Sequence, residues 1–173
     1  MNTSRISDWL GLVANIAVVG GIVFLAVEIR QNNELLRSES RQTLVSNDVT
    51  SLTANMGNTD VFEKLALGRS LSADDQLRLS FMFALDLRNR EFEYFQYKNG
   101  LLDEETWLAY RNVILINHST PLGRRWWDVV GRGIVDPAFA ALVDELLVDA
   151  EPNEMYRRMA TWADNRPANA GVE

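Results

Sequence analysis

The sequence predicts an all-α protein: an N-terminal transmembrane helix continuing into a small cytoplasmic helical bundle. Three observations carry this. An uncharged apolar run near the N-terminus is long enough to cross a bilayer, apolar residues recur at helical spacing through the remainder, and no alternating strand pattern or internal repeat interrupts them. The expected organisation is a flank at 1–8, a transmembrane helix at 9–27, a membrane-proximal helix at 28–58, a helical bundle at 59–165 and a disordered tail at 166–173.

The run from Trp9 to Val27 contains no charged residue and is bounded by Asp8 on one side and by Glu28 and Arg30 on the other. At 1.5 Å per residue it covers roughly 28 Å, about the thickness of the hydrocarbon layer. Trp9 stands where an interfacial aromatic is favoured. A cleaved signal peptide has a shorter apolar core and a small-x-small exit, whereas this run leaves through Phe24-Leu25-Ala26. A buried helix of a soluble protein rarely runs so far without a charge. Arg5 alone precedes the span, and Arg30, Arg37 and Arg41 follow it, which predicts the N-terminus outside and the domain in the cytoplasm.

One face of the span carries small residues: Gly11, Ala14, Ala17 and Gly21, with Asn15 beside them. Small side chains let helix backbones approach closely in lipid, and an amide there seeks a partner on another helix. The alternative is that Gly and Ala are simply common in membrane helices and Asn15 bonds a headgroup or the backbone.

Past the membrane, helix formers dominate from Glu34 to Gln42, and Val45, Val49, Leu52 and Met56 fall at 4-3-4 spacing, a seam for packing. Asn55 to Asp60 reads as a break, and Thr59 or Asp60 can cap the helix that follows. Val61 to Leu67 is a short helix ended by Gly68, suited to a left-handed cap, and Ser72 with Asp74 and Asp75 opens the longest element, to about Lys98. That helix bears two apolar stripes, Leu77, Phe81, Ala84, Leu85, Arg88, Phe92 and Phe95, and Leu79, Phe83, Leu87 and Tyr94, as expected of a central helix. Asp103 caps the next helix, to about Ile116, with Trp107, Leu108 and Val113 to Leu115 inward. Pro121 opens a short one carrying Trp126 and Trp127, and Asp136-Pro137 starts another with Phe139, Leu142, Val143, Leu146 and Leu147 inward. A last helix, Asn153 to Asp164, presents Met155, Met159 and Trp162, and the chain from Arg166 should fray.

The formal net charge of -7 and the lack of any Lys/Arg-rich run argue against a nucleic-acid partner. With no cysteine, disulfide scaffolds and thiolate metal sites are excluded. The single histidine, His118, rules out a paired Glu-x-x-His di-metal site, and its Asn-His-Ser-Thr-Pro context reads as a solvated or capping loop residue. No phosphate loop or nucleophile elbow is present, so no catalytic residue, metal or cofactor is expected.

The most unusual stretch is Asp86 to Tyr97. Arg88 falls inside an apolar stripe, with Glu91 one turn on as its partner. Two readings stand: a ligand pocket in which Arg88 meets an anion among Phe92, Tyr94, Phe95 and Trp126, or a buried ion pair that sets the register of the bundle. Asp86 and Arg90, on the opposite face, read as a solvated pair.

Ala26-Val-Glu-Ile-Arg-Gln-Asn32, Glu93-Tyr-Phe-Gln-Tyr97, Gly100-Leu-Leu-Asp-Glu-Glu-Thr-Trp107, the Trp126-Trp127 pair and Asp136-Pro-Ala-Phe139 together resemble a large, uncharacterised family of small bacterial single-span membrane-anchored helical proteins. The resemblance runs from about Ala14 to Leu147. It implies a bacterial inner-membrane location and one span, and supplies no activity or catalytic residue. Glu28 departs from the neutral glutamine commoner there. The expected role is a membrane-anchored interaction protein that self-assembles or serves as an accessory subunit of a larger membrane complex. The alternative is a tethered sensor domain that binds a small anionic or aromatic ligand near Arg88.

Overall fold

A computed structural model of the chain describes residues 3–161. Among these the protein is all-α, with no strand: α1 (Thr3–Met56), α2 (Thr59–Ala66), α3 (Ala73–Lys98), α4 (Glu104–His118), α5 (Pro121–Val129), a 3-10 turn (Gly131–Gly133), α6 (Pro137–Val148) and α7 (Met155–Thr161). The inward side chains expected at Met159 and Trp162, the helix end expected at Asp164 and the tail from Arg166 lie outside what is described, as do Met1 and Asn2.

The chain divides into two compact units after Gln42. In the first, α1 is long and apolar enough to cross a membrane, and none of its most apolar window is buried. Ile16, Val19, Ile22, Val23 and Phe24 are all exposed, as apolar side chains are when they have no protein neighbour. Gly11, Ala14, Asn15, Ala17 and Gly21 are exposed likewise, and a Cβ added at Gly11 or Gly21 meets nothing within 4 Å.

The second unit is the bundle, and it begins at Thr43 rather than at the Gly57 break, because the last turns of α1 contribute to its core. Leu44 is buried there with Val61, Leu79, Phe83, Leu87, Trp107, Ile114, Phe139, Val143 and Leu147. The helix boundaries follow local chemistry. Ser72 caps α3 in a capping box with Asp75, and Asp103, Thr120 and Asp136 cap α4, α5 and α6 through their side-chain oxygens. Gly68 and Gly100, at φ 62 and 71, take the left-handed conformation just past α2 and α3. Arg124 donates to the carbonyls of Leu147 at 2.7 Å and Ala150 at 2.5 Å, closing the end of α6.

One of the two expected apolar stripes of α3 makes the core face: Leu79, Phe83 and Leu87 are buried together with Met82, and Tyr94 packs half-buried against the core. Of the other stripe Ala84 and Phe92 pack on the core, whereas Leu77, Phe81 and Arg88 are exposed. The buried face also passes through Asp75, Asn89, Arg90 and Glu93, polar residues that a hydrophobic pattern assigns to water. They can be buried because each finds charged or polar neighbours on another helix or along α3 itself.

Candidate functional site

The polar residues of α3 converge with side chains from α1 and α4. Arg90, 4% exposed, is the hub: its guanidinium lies 2.8 Å from Glu93, 3.4 Å from Asp48 and 4.0 Å from Asp86, and stacks over the Tyr110 ring at 4.7 Å. Tyr110 Oη donates to Asp48 Oδ2 at 3.1 Å, and Asn89 donates to Ser51 at 2.8 Å. The 2.8 Å approach to Glu93 lies off the N–H axes, so neither Glu93 oxygen accepts a well-directed hydrogen bond.

One guanidinium thus faces three carboxylates. Burial first, and then the negative charges of Asp48 and Asp86, lift the Glu93 carboxyl to about 8 against the pull of Arg90. Burial likewise raises Asp86, and burial with the neighbouring Asp48 carboxylate pushes the Tyr110 phenol up to about 12. Asp86 leads out of the cluster: its Oδ2 accepts from Asn117 of α4 at 2.9 Å, and both residues line a cavity of about 620 Å³. The rest of that cavity is mainly apolar, floored by Leu79, Met82 and Phe83 and walled by Phe62 and Tyr156, whose rings are 5.8 Å apart.

The residues expected to surround Arg88 are not brought together. Arg88, 59% exposed, is at the surface; it pairs with Glu91 and donates to the Ile134 carbonyl at 3.3 Å. Glu91 is buried, and its other oxygen accepts from the Asp136 backbone at 2.5 Å, so it ties α3 to the start of α6. Tyr94 packs on Phe95, Trp107 and Phe139, while Phe92 is half-buried against the core. Trp126 belongs to a different cluster, with Phe83 and His118, and its indole N–H donates to Ser80 at 2.8 Å. The i,i+3 pairing of Arg88 with Glu91 forms, with the arginine side chain at the surface. The solvated pair expected of Asp86 and Arg90 is instead the buried one. Polar spacing alone does not reveal that, since Asp48, Tyr110 and Asn117 reach the site from other helices.

His118 also departs from expectation. It is fully buried at the end of α4, between Phe83 and Trp126 at 5.4 and 5.5 Å. Neither ring nitrogen has a well-directed hydrogen-bond partner, although the nearby Gly123 backbone weakly favours the protonated ring. Burial therefore outweighs the weak pull of Gly123 and lowers the imidazole to about 4. The folded state refuses a proton that the unfolded chain accepts below its ordinary value of 6.5, so stability falls as pH drops from about 6.5 to about 4. The expected loss is about 3 kcal/mol by pH 4. His118→Phe should remove that part of the acid slope in urea titrations at pH 4.5 and 7; an unchanged slope would show that His118 is not its source.

On the opposite flank, Lys64 reaches both oxygens of Asp75 at 2.8 Å, and Ser72 donates to Asp75 from its backbone and its hydroxyl. These donors, Lys64 foremost, hold the Asp75 carboxyl well below the usual range, and Arg78 links it to Asp60 of α2. This is a structural clamp between α2 and α3. Among the described residues no three His, Cys, Asp or Glu side chains are placed to hold a metal ion. Against models of known protein families, curated proteins and solved structures, the chain finds no match.

Proposed function

We propose that the chain is a membrane-anchored helical interaction module that self-assembles, or joins a larger membrane complex as an accessory subunit, and that it is not an enzyme. The observation that carries this reading is the seam Val45, Val49, Leu52 and Met56 in the bundle unit, whose members are 57–74% exposed. Its 4-3-4 spacing is that of a coiled-coil contact line, and apolar side chains in such a row are commonly covered by a partner. The apolar segment from Trp9 to Val27 supports one membrane span, and its unencumbered small-residue face supports helix association there. The arginine bias supports the N-terminus outside and the bundle in the cytoplasm, and the resemblance described above supports a bacterial inner membrane.

The test is the mass of the full chain in mild detergent, corrected for bound detergent and lipid. A discrete multiple of 19.6 kDa, or one defined co-purifying subunit, is expected. Val45→Glu with Val49→Glu, at exposed positions, should shift the parent assembly toward monomer with little change in melting. Gly21→Leu clashes with nothing in its own chain, so any loss of mass it causes reports a neighbouring helix. A parent that runs as a clean monomer would sink the proposal.

A further inference from the structure

The cavity at Asp86, whose lining takes in Leu52 and Met56 of the seam, has a polar end that the assembly role does not use. Its volume, about 620 Å³, lies in the range of small-molecule sites, and it has one apolar end and one polar end. The apolar end is built from Leu79, Met82 and Phe83, all buried, with the Phe62–Tyr156 ring pair as a side wall. At the polar end, Asn117 already spends an N–H on Asp86 Oδ2, while Asp86 Oδ1 is 4.0 Å from Arg90 Nε, too far for a hydrogen bond. That oxygen retains accepting capacity at the end of the cavity that Asp86 lines.

Charge decides what kind of head it takes. The charged residues lining the cavity are Glu63 and Asp86, with no lysine or arginine among them. Behind Asp86 stand the Asp48 carboxylate on α1 and the Glu93 carboxyl on α3, the latter protonated below about pH 8, with the single guanidinium of Arg90 among them and the Tyr110 phenol of α4 beside them, while Glu63 has its own partner in Arg69. α7 adds the phenol of Tyr156, which burial and the Asp86 carboxylate keep neutral. An anion would enter against this field, and a phosphate-bearing lipid head would bring its negative charge with it. A cation would complete the cluster and find the faces of Phe62, Phe83 and Tyr156 beside it.

We propose that this cavity binds a small soluble amine with an aromatic or aliphatic tail, its ammonium on Asp86 and its tail along Leu79, Met82 and Phe83. Burial raises the Asp86 carboxyl in the free protein, and an ammonium bound beside it would favour its ionised form. The site is separate from Arg88 and selects for the opposite charge from that expected around Arg88.

The test uses the full chain in phosphatidylcholine nanodiscs, titrated calorimetrically with 4-phenylbutylamine, 4-phenylbutanol and 5-phenylpentanoate, with empty discs subtracted. The amine should bind about tenfold or more tightly than the alcohol, and the carboxylate should show no saturable binding. Asp86→Asn keeps a group that can bond Asn117 and should cost the amine about tenfold while leaving the alcohol nearly unchanged. Ala66→Phe, which fills the cavity from α2 without touching the charge cluster, should abolish binding of both. Equal affinity for amine and alcohol, an unaffected Asp86→Asn protein, or no saturable binding of the amine would each overturn the proposal. So would an Ala66→Phe variant that keeps amine affinity and loses assembled mass, because it would give the cavity to a neighbouring copy. Val45→Glu with Val49→Glu lies off the cavity lining and should leave amine affinity intact, so failure of the assembly reading and failure of this one are separable.

Discussion

Arg90→Met should lower the stability of the full chain by about 3–5 kcal/mol at pH 8, and by clearly less at pH 5. The methionine fills much of the arginine's volume and removes its charge. Asp48, Asp86 and Glu93 would then share one buried region without the guanidinium that now lies 2.8–4.0 Å from them. The pH contrast follows from Glu93. Its folded carboxyl, lifted to about 8, keeps a proton that the unfolded chain releases above its ordinary value of 4.5. Stability therefore falls as pH rises from about 4.5 to about 8, and removing Arg90 makes proton uptake by the carboxylates more necessary still. Glu93→Gln, which imitates the protonated acid, should flatten that slope and recover part of the Arg90→Met loss at pH 8. Urea titrations of the four proteins at the two pH values measure this. A pH-independent Arg90→Met penalty, with no relief from Glu93→Gln, would mean that the guanidinium acts through packing and Tyr110 alone.

Gly123→Ala should cost about 3 kcal/mol or more, although it adds a single methyl group. A Cβ at Gly123 would lie 2.2 Å from the Asn117 carbonyl oxygen, 2.8 Å from His118 Cα and 2.9 Å from Thr120 Oγ1. The first two are backbone atoms in the tight passage from α4 to α5, and the third is the hydroxyl that caps α5, so no flexible side-chain end can swing away. Relief requires moving the end of α4, which carries both His118 and the Asn117 that holds Asp86. The variant should therefore lose amine affinity along with stability. Gly133→Ala, where an added Cβ meets nothing within 4 Å, is the matched control and should change stability by less than about 0.5 kcal/mol. Equal losses at the two glycines would refute the close-approach argument.

Helix class and most boundaries were legible because their causes are local. The apolar run from Trp9, the caps at Ser72, Asp103 and Asp136, Pro121 at the start of α5, and Gly68 and Gly100 at left-handed positions all act within a few residues. The pairing of Arg88 with Glu91 was legible for the same reason, since i and i+3 meet on any helix. The choice of buried face on α3 was not. Leu77 and Phe81 make as good an apolar stripe as Leu79 and Phe83, and local pattern contains nothing to choose between them.

Tertiary packing made that choice. It buried the face whose polar members could be answered from elsewhere: Asp75 by Lys64 of α2, Asn89 by Ser51 of α1, Arg90 by Asp48, and Asp86 by Asn117 of α4. These partners are separated by 11 to 42 residues in sequence, so no periodicity relates them. The sequence by itself determined an all-α chain with one uncharged apolar segment, because hydrogen bonding, capping and hydropathy are properties of short stretches. Only the tertiary structure decided which charges lie inside, where the cavity opens and that its polar end is acidic, because burial is settled by neighbours that the fold brings together.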